Sequence, residues 1–193
     1  MTRRCFFLVP LFGLARAWGA TGFWNRKSPR EWTDAELHEL TTKSPWAQDA
    51  RIAPKTNVVL APPEEKDAKN GAGRPGARAV VCWESAKPIL DALGNILPGG
   101  LEGHYVIGVK DRERQIQPLT ASATLEAKGK EPVQAGVVVR ARDVETILFG
   151  FSRELLPLTV RDREVLFSLD TDQVAVKAKF DPKEMIYRGQ LAL

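Results

Sequence analysis

Cysteine is scarce in this chain. Only Cys5 and Cys82 occur among 193 residues, and Cys5 lies in a segment that reads as a removable leader. One remaining thiol can form no intramolecular disulfide, so stability has to come from a packed core. The 176 residues of 18–193 are enough for one domain, which would bury roughly 70% of its unfolded surface. Cys82 sits in the apolar run AVVCW and reads as a small buried hydrophobe rather than a reactive thiol. Histidine is equally scarce, with only His38 and His104. A structural zinc site usually takes four nitrogen or sulfur ligands, and His38, His104 and Cys82 make three. Glu102 and His104, in the fragment LEGH, are the weak metal candidates, and neither a metal nor any other cofactor is expected.

Long apolar runs are also missing, with one exception at the start. Residues 5–14 (CFFLVPLFGL) follow Arg3 and Arg4 and precede Ala15-Arg16-Ala17. The run is far below the roughly 20 residues that span a bilayer. Positive residues, a short apolar stretch and a small-residue site together predict a cleaved signal peptide, residues 1–17. The start TRRCFF also resembles a twin-arginine signal, so both export routes stay open. A periplasmic or secreted location follows, with no transmembrane segment left after the leader is removed.

Excess charge of one sign disappears with that leader. The chain holds 28 basic and 24 acidic residues. Arg3, Arg4 and Arg16 all fall in residues 1–17, where there is no acid, leaving 25 basic against 24 acidic in residues 18–193. No broad cationic surface remains, so nucleic acid is not an expected partner. Motifs of enzymes are thin as well. There is no G-x-S-x-G elbow, and no catalytic residue is assigned, although a Ser-His-Asp arrangement forms in space rather than in sequence. Gly71, Gly73 and Gly76 spell G-x-G-x-x-G, but they follow a charged run rather than a strand, which argues against a dinucleotide site. They belong to the Pro-, Gly- and charge-rich residues 61–77, which read as a flexible loop inside one domain. Asp170 and Asp172 imitate the start of a calcium loop without its later glycine and glutamate, so they read as turn formers.

What the chain does have is alternation. Residues 78–84 and 104–110 read as buried strands. Between them, Ser85, Pro88 and Gly94 delimit a short helix, giving a possible β-α-β unit. From residue 119 the pattern is almost wholly of period two: 119–127, 137–139, 146–151, 164–169 and 173–180. In the last of these Val174, Val176, Ala178 and Phe180 face inward, with Lys177 and Lys179 outward. Asp170-Thr171-Asp172 predicts a tight hairpin. The terminal MIYRGQLAL alternates once more through Met185, Tyr187, Leu191 and Leu193. The expected fold is α+β, mainly an antiparallel β sandwich or partly closed barrel with two short helices.

The first of those helices is written in EWTDAELHELTTKSPWA, residues 31–47. Thr33 and Glu36 have the spacing of a capping box. Trp32 and Leu37 take the two positions of a hydrophobic staple, and Pro45 blocks continuation. Two readings follow for the tryptophans. They pin the helix to a sheet, or Trp24, Trp32 and Trp46 form an aromatic binding patch.

This stretch, together with VVCWESAKPILDAL and KEMIYRGQLAL, resembles segments of uncharacterised exported bacterial proteins. The resemblance implies an envelope or extracellular location and a shared fold, with no activity to carry over. The expected function is an exported, non-enzymatic interaction module with a cell-envelope protein partner. Alternatives are a small-ligand or carbohydrate-binding protein, and a hydrolase-type enzyme.

Overall fold

β-branched and aromatic residues at alternate positions set the architecture. The computed structural model describes residues 22–55, 77–94, 97–111, 116, 120–141, 143 and 145–193. The expected leader, and the expected loop apart from Ala77, lie outside them. Nine strands form one antiparallel sheet: β1 Ala47–Pro54, β2 Arg78–Trp83, β3 His104–Lys110, β4 Ser122–Ala127, β5 Val133–Gln134, β6 Val137–Arg140, β7 Thr146–Ser152, β8 Val165–Asp170 and β9 Val174–Phe180. Their spatial order is β5-β4-β8-β9-β1-β2-β3-β7-β6. A small hairpin follows, β10 Ile186–Tyr187 and β11 Gln190–Leu191. The helices are α1 Phe23–Arg26, α2 Asp34–Thr42 and α3 Lys87–Leu93, with a 3-10 turn at Pro29–Glu31.

One strand, β1, carries the sheet from one half to the other. Residues 47–51 of β1 pair with β2, while Ile52, Ala53 and Pro54 pair with β9. At the far side, β5 and β6 are joined only by Ala135 and Gly136. The Ala135 amide donates to Ala123 O and the Gly136 amide to Gly150 O, each at 2.9 Å. The first and last strands of the sheet are therefore consecutive in the chain. The result is the expected α+β class, and the curled, partly closed barrel of the two architectures considered. Alternation fills its interior: Leu125, Phe149, Phe151, Phe167, Phe180 and Trp83 are all essentially inaccessible. Edge-to-face contacts join Trp83 to Phe180 at 5.3 Å and Phe151 to Phe167 at 6.2 Å. Each such side chain contributes about 1.5–3 kcal/mol through burial, so the interior is packed core.

Local signals explain α2. Thr33 Oγ accepts the Glu36 amide at 3.3 Å, and Glu36 Oε2 accepts the Thr33 amide at 2.9 Å, closing the capping box. Leu40 is fully buried, and Trp32 and Leu37 pack on the core. Ser44 Oγ donates to Leu40 O at 2.6 Å and accepts the Trp46 amide at 3.2 Å just before β1.

Three expectations change. The strands flanking α3 are antiparallel neighbours rather than a β-α-β unit. Seven helical residues span only about 10 Å, too little to return the chain along a strand of about 20 Å. Ser85 does not cap α3. Ala86 holds the N-cap position, Ser85 Oγ accepts the Val106 amide at 3.0 Å, and Gly94 ends the helix at φ 78°. The terminal MIYRGQLAL is not one strand but the β10–β11 hairpin, turning at Arg188-Gly189. The β8–β9 hairpin is present, but buried Thr171 organises it. Its Oγ accepts the amides of Gln173 at 3.2 Å and Val174 at 3.0 Å.

Candidate functional site

Trp24, Trp32 and Trp46 are brought together, and inside. Their exposures are 1%, 7% and 0%. Trp24 meets Trp46 edge-to-face at 5.4 Å, and Phe23 meets both Trp24 (5.1 Å) and Trp32 (5.7 Å). Trp46 Nε1 donates to Ala192 O at 2.6 Å, tying the start of β1 to the end of the chain. The indole N–H groups of Trp24, Trp32 and Trp83 have no hydrogen-bond acceptor among the described residues, and each ring stands in an edge-to-face contact. This is the geometry of a folding device that pins α1 and α2 to the sheet, and it leaves none of these three indoles open to a ligand.

Glu102 and His104 share one turn. Glu102 Oε2 accepts the Gly100 amide at 2.8 Å, and His104 Nδ1 lies 3.0 Å from Glu102 O. Both are thus engaged by the turn itself. Among the described residues, no group of three or more His, Cys, Asp or Glu is arranged to hold a metal. Cys82 is buried and unpaired, and burial pushes its thiol well above the ordinary range.

A cleft of about 490 Å³ opens where the C-terminal hairpin faces α3 and the segment after β7. Its polar lining is Ser85, Lys87, Tyr105, Arg153, Tyr187, Arg188 and Gln190, and Leu90, Leu158 and Leu191 supply apolar walls. Among the described residues no acidic side chain lines it. Each cation is held in a particular way. The Arg153 guanidinium lies 4.6 Å from the Tyr105 ring centre and donates to His104 O at 3.1 Å and Leu193 O at 2.6 Å. Burial lowers its pKa below the usual arginine value. Among the described residues no carboxylate side chain pairs with it. Lys87 is bonded to Asp91, one helical turn on. Asp91 also accepts the Tyr187 hydroxyl at 3.0 Å, and burial, aided by that bond, raises the phenol to about 12. Tyr187 therefore remains a neutral hydroxyl.

Arg188 is the most telling of these residues. Its φ is 50°, the one positive value for a non-glycine residue among the described residues, and Gly189 follows at 80°. Both central residues of this two-residue hairpin are left-handed, as a type I′ turn requires, and asparagine or aspartate is favoured in the first place. An arginine there is a poor turn former. The molecule supports it from outside. Asn25 Oδ1 accepts the Arg188 amide at 2.7 Å, and Asn25 Nδ2 donates to Ile186 O at 3.1 Å. The Arg188 guanidinium stands 5.1 Å from the Tyr187 ring centre and has no carboxylate partner among the described residues. A cation is thus kept at a position where its backbone is unfavourable. Chemically, the cleft can hold an anion with donors from two guanidiniums and a lysine, against leucine walls.

None of the cleft's three cations stood out in the sequence. Lys87, Arg153 and Arg188 lie on three separate segments, and only Arg188-Gly189, interrupting an apolar alternation, gave a local signal.

A second arrangement lies on the outer face of β2 and β3. Glu84 crosses Gly108, where a Cβ would come within 2.8 Å of Glu84 Cγ and Oε1. Burial raises the Glu84 carboxyl to about 7, with Asp143 adding to the rise and Cys82 and Lys110 opposing it. Glu84 lines none of the clefts described, so this is a packed acid rather than an open site.

No model of a known protein family matches the chain, and neither a curated protein nor a solved structure matches it.

Proposed function

We propose that this chain is an exported, non-enzymatic binding protein of the cell envelope or extracellular space. Its ligand carries a carboxylate or phosphate head and an apolar body, and binds in the cleft between α3 and the C-terminal hairpin. The observation that carries this reading is Arg188, an arginine held at φ 50° with no carboxylate partner among the described residues, beside Arg153 and Lys87. The leader-like residues 1–17 support export. Burial of Trp24, Trp32 and Trp46 favours this ligand over a sugar stacked on indoles or a protein partner docked on them.

Calorimetric titration with octyl phosphate and octanoate tests the reading, with octanol as the uncharged control. The wild type should bind both anions and bind octanol more weakly. Arg188→Asn, which suits the turn, should weaken anion binding by about tenfold or more. Equal affinity for octanol, or no effect of the substitution, would remove the proposal.

A further inference from the structure

Arg153 and Leu158 reach the cleft from one loop, residues 153–164, between β7 and β8. That loop is well anchored. Leu156 is fully buried, the Leu158 amide donates to the Tyr105 hydroxyl at 3.1 Å, and Asp162 Oδ2 accepts the Thr159 amide at 2.7 Å. Lys130 binds both the Pro157 carbonyl and Asp162. On this anchored frame Leu155 is 70% exposed and Val160 45% exposed. They are two of the four large apolar side chains left exposed among the described residues. Arg161 and Arg163 are exposed on the same loop and have no carboxylate partner there, and Asp162 is already taken by Lys130. Glu154 is the loop's one exposed acid without an ion pair among the described residues.

Apolar side chains held outward on the same loop as unpaired arginines, a loop that also supplies Arg153 and Leu158 to the cleft, are complementary to one kind of surface. We propose that residues 153–163 seat the protein on an anionic phospholipid surface, with Leu155 and Val160 entering the interface and lipid phosphates facing the arginines. The inference rests on the cleft as an anion site, and it says where the amphiphilic ligand comes from: the cleft opens onto the bilayer that supplies it. Cations near an anionic leaflet are drawn to it over about a Debye length, and interfacial leucine and valine add apolar burial.

Sedimentation with vesicles of phosphatidylcholine, with and without phosphatidylglycerol, tests this. The chain is isolated from its own host, so that its N-terminus is the natural one, and all comparisons are between wild type and variant. Phosphatidylglycerol should raise partitioning by about tenfold or more. Leu155→Ser with Val160→Ser should lower it by about tenfold, while the octyl phosphate titration and the melting temperature stay unchanged. Equal partitioning onto both vesicles, or full binding by the double variant, would overturn the proposal and leave the cleft reading intact. Absence of octyl phosphate binding by the wild type would instead remove the cleft reading, and this inference with it.

Discussion

Glu84 shows how one residue sets a property of the whole chain. Its carboxyl lies over Gly108, where any side chain would collide with it. Burial raises it from 4.5 to about 7. The folded chain therefore holds this proton more tightly than the unfolded chain, and between about pH 4.5 and about pH 7 stability falls as pH rises. The groups facing it are Cys82, Asp143 and Lys110. Asp143, where hydrogen bonds from Thr146 outweigh burial and keep the carboxyl low, titrates at more acid pH, outside this window. Glu84→Gln, which keeps the shape and removes the titration, should flatten the dependence. Wild type should melt about 3 °C or more lower at about pH 8 than at about pH 5, and the variant should show a smaller difference. An unchanged slope in the variant would assign the dependence to other groups.

At the scale of elements, what was readable in the sequence and what was not divides along the range of the signal. α2 was legible because its cap, staple and stop all lie within residues 32–45. β3 was legible as a short apolar run of buried-strand length, and β8 and β9 because apolar residues alternate over a single strand length. The cleft was not, because α3, the loop after β7 and the last hairpin each contribute one cation, and no local pattern records their meeting. For the aromatic cluster the sequence left two locations open, pinned against the sheet or exposed as a patch, and what separates them is long-range: Asn25 bonds to Ile186 and Trp46 to Ala192 across the chain. The final hairpin lay between these cases. Its turn was written in Arg188-Gly189 but hidden by an alternation that continues through it. That turn makes a clear prediction. Arg188→Asn should keep or raise the melting temperature, because asparagine tolerates the left-handed conformation. Gly189→Ala, at φ 80°, should cost about 1–2 kcal/mol, read as a lower denaturant midpoint. Loss of stability in Arg188→Asn would mean that the arginine is there for the fold, and the functional case for it would go.

For the whole molecule, the decisive feature is that the two ends of the described chain hold each other. Asn25 bonds to Ile186 and Arg188, and Trp46 bonds to Ala192. The sheet between them curls until β5 and β6, its first and last strands, are neighbours in sequence. Neither the helical layer nor the final hairpin can dock without the curled sheet, and β10–β11 is too short to persist alone. Unfolding should therefore be one cooperative event. This is measurable because the four described indoles of the chain's five report on different places: Trp24, Trp32 and Trp46 on the layer that joins the chain ends, Trp83 on the sheet interior. Urea unfolding followed by tryptophan emission and by far-ultraviolet circular dichroism should give coincident midpoints. Emission that shifts at lower urea than the β signal would mean that the end-joining layer opens first. In that case the cleft, one wall of which is that C-terminal hairpin, would open with it, and ligand should move the emission midpoint upward without moving the β midpoint. If the two midpoints coincide, ligand should move both together, because the cleft and the barrel are then one folding unit.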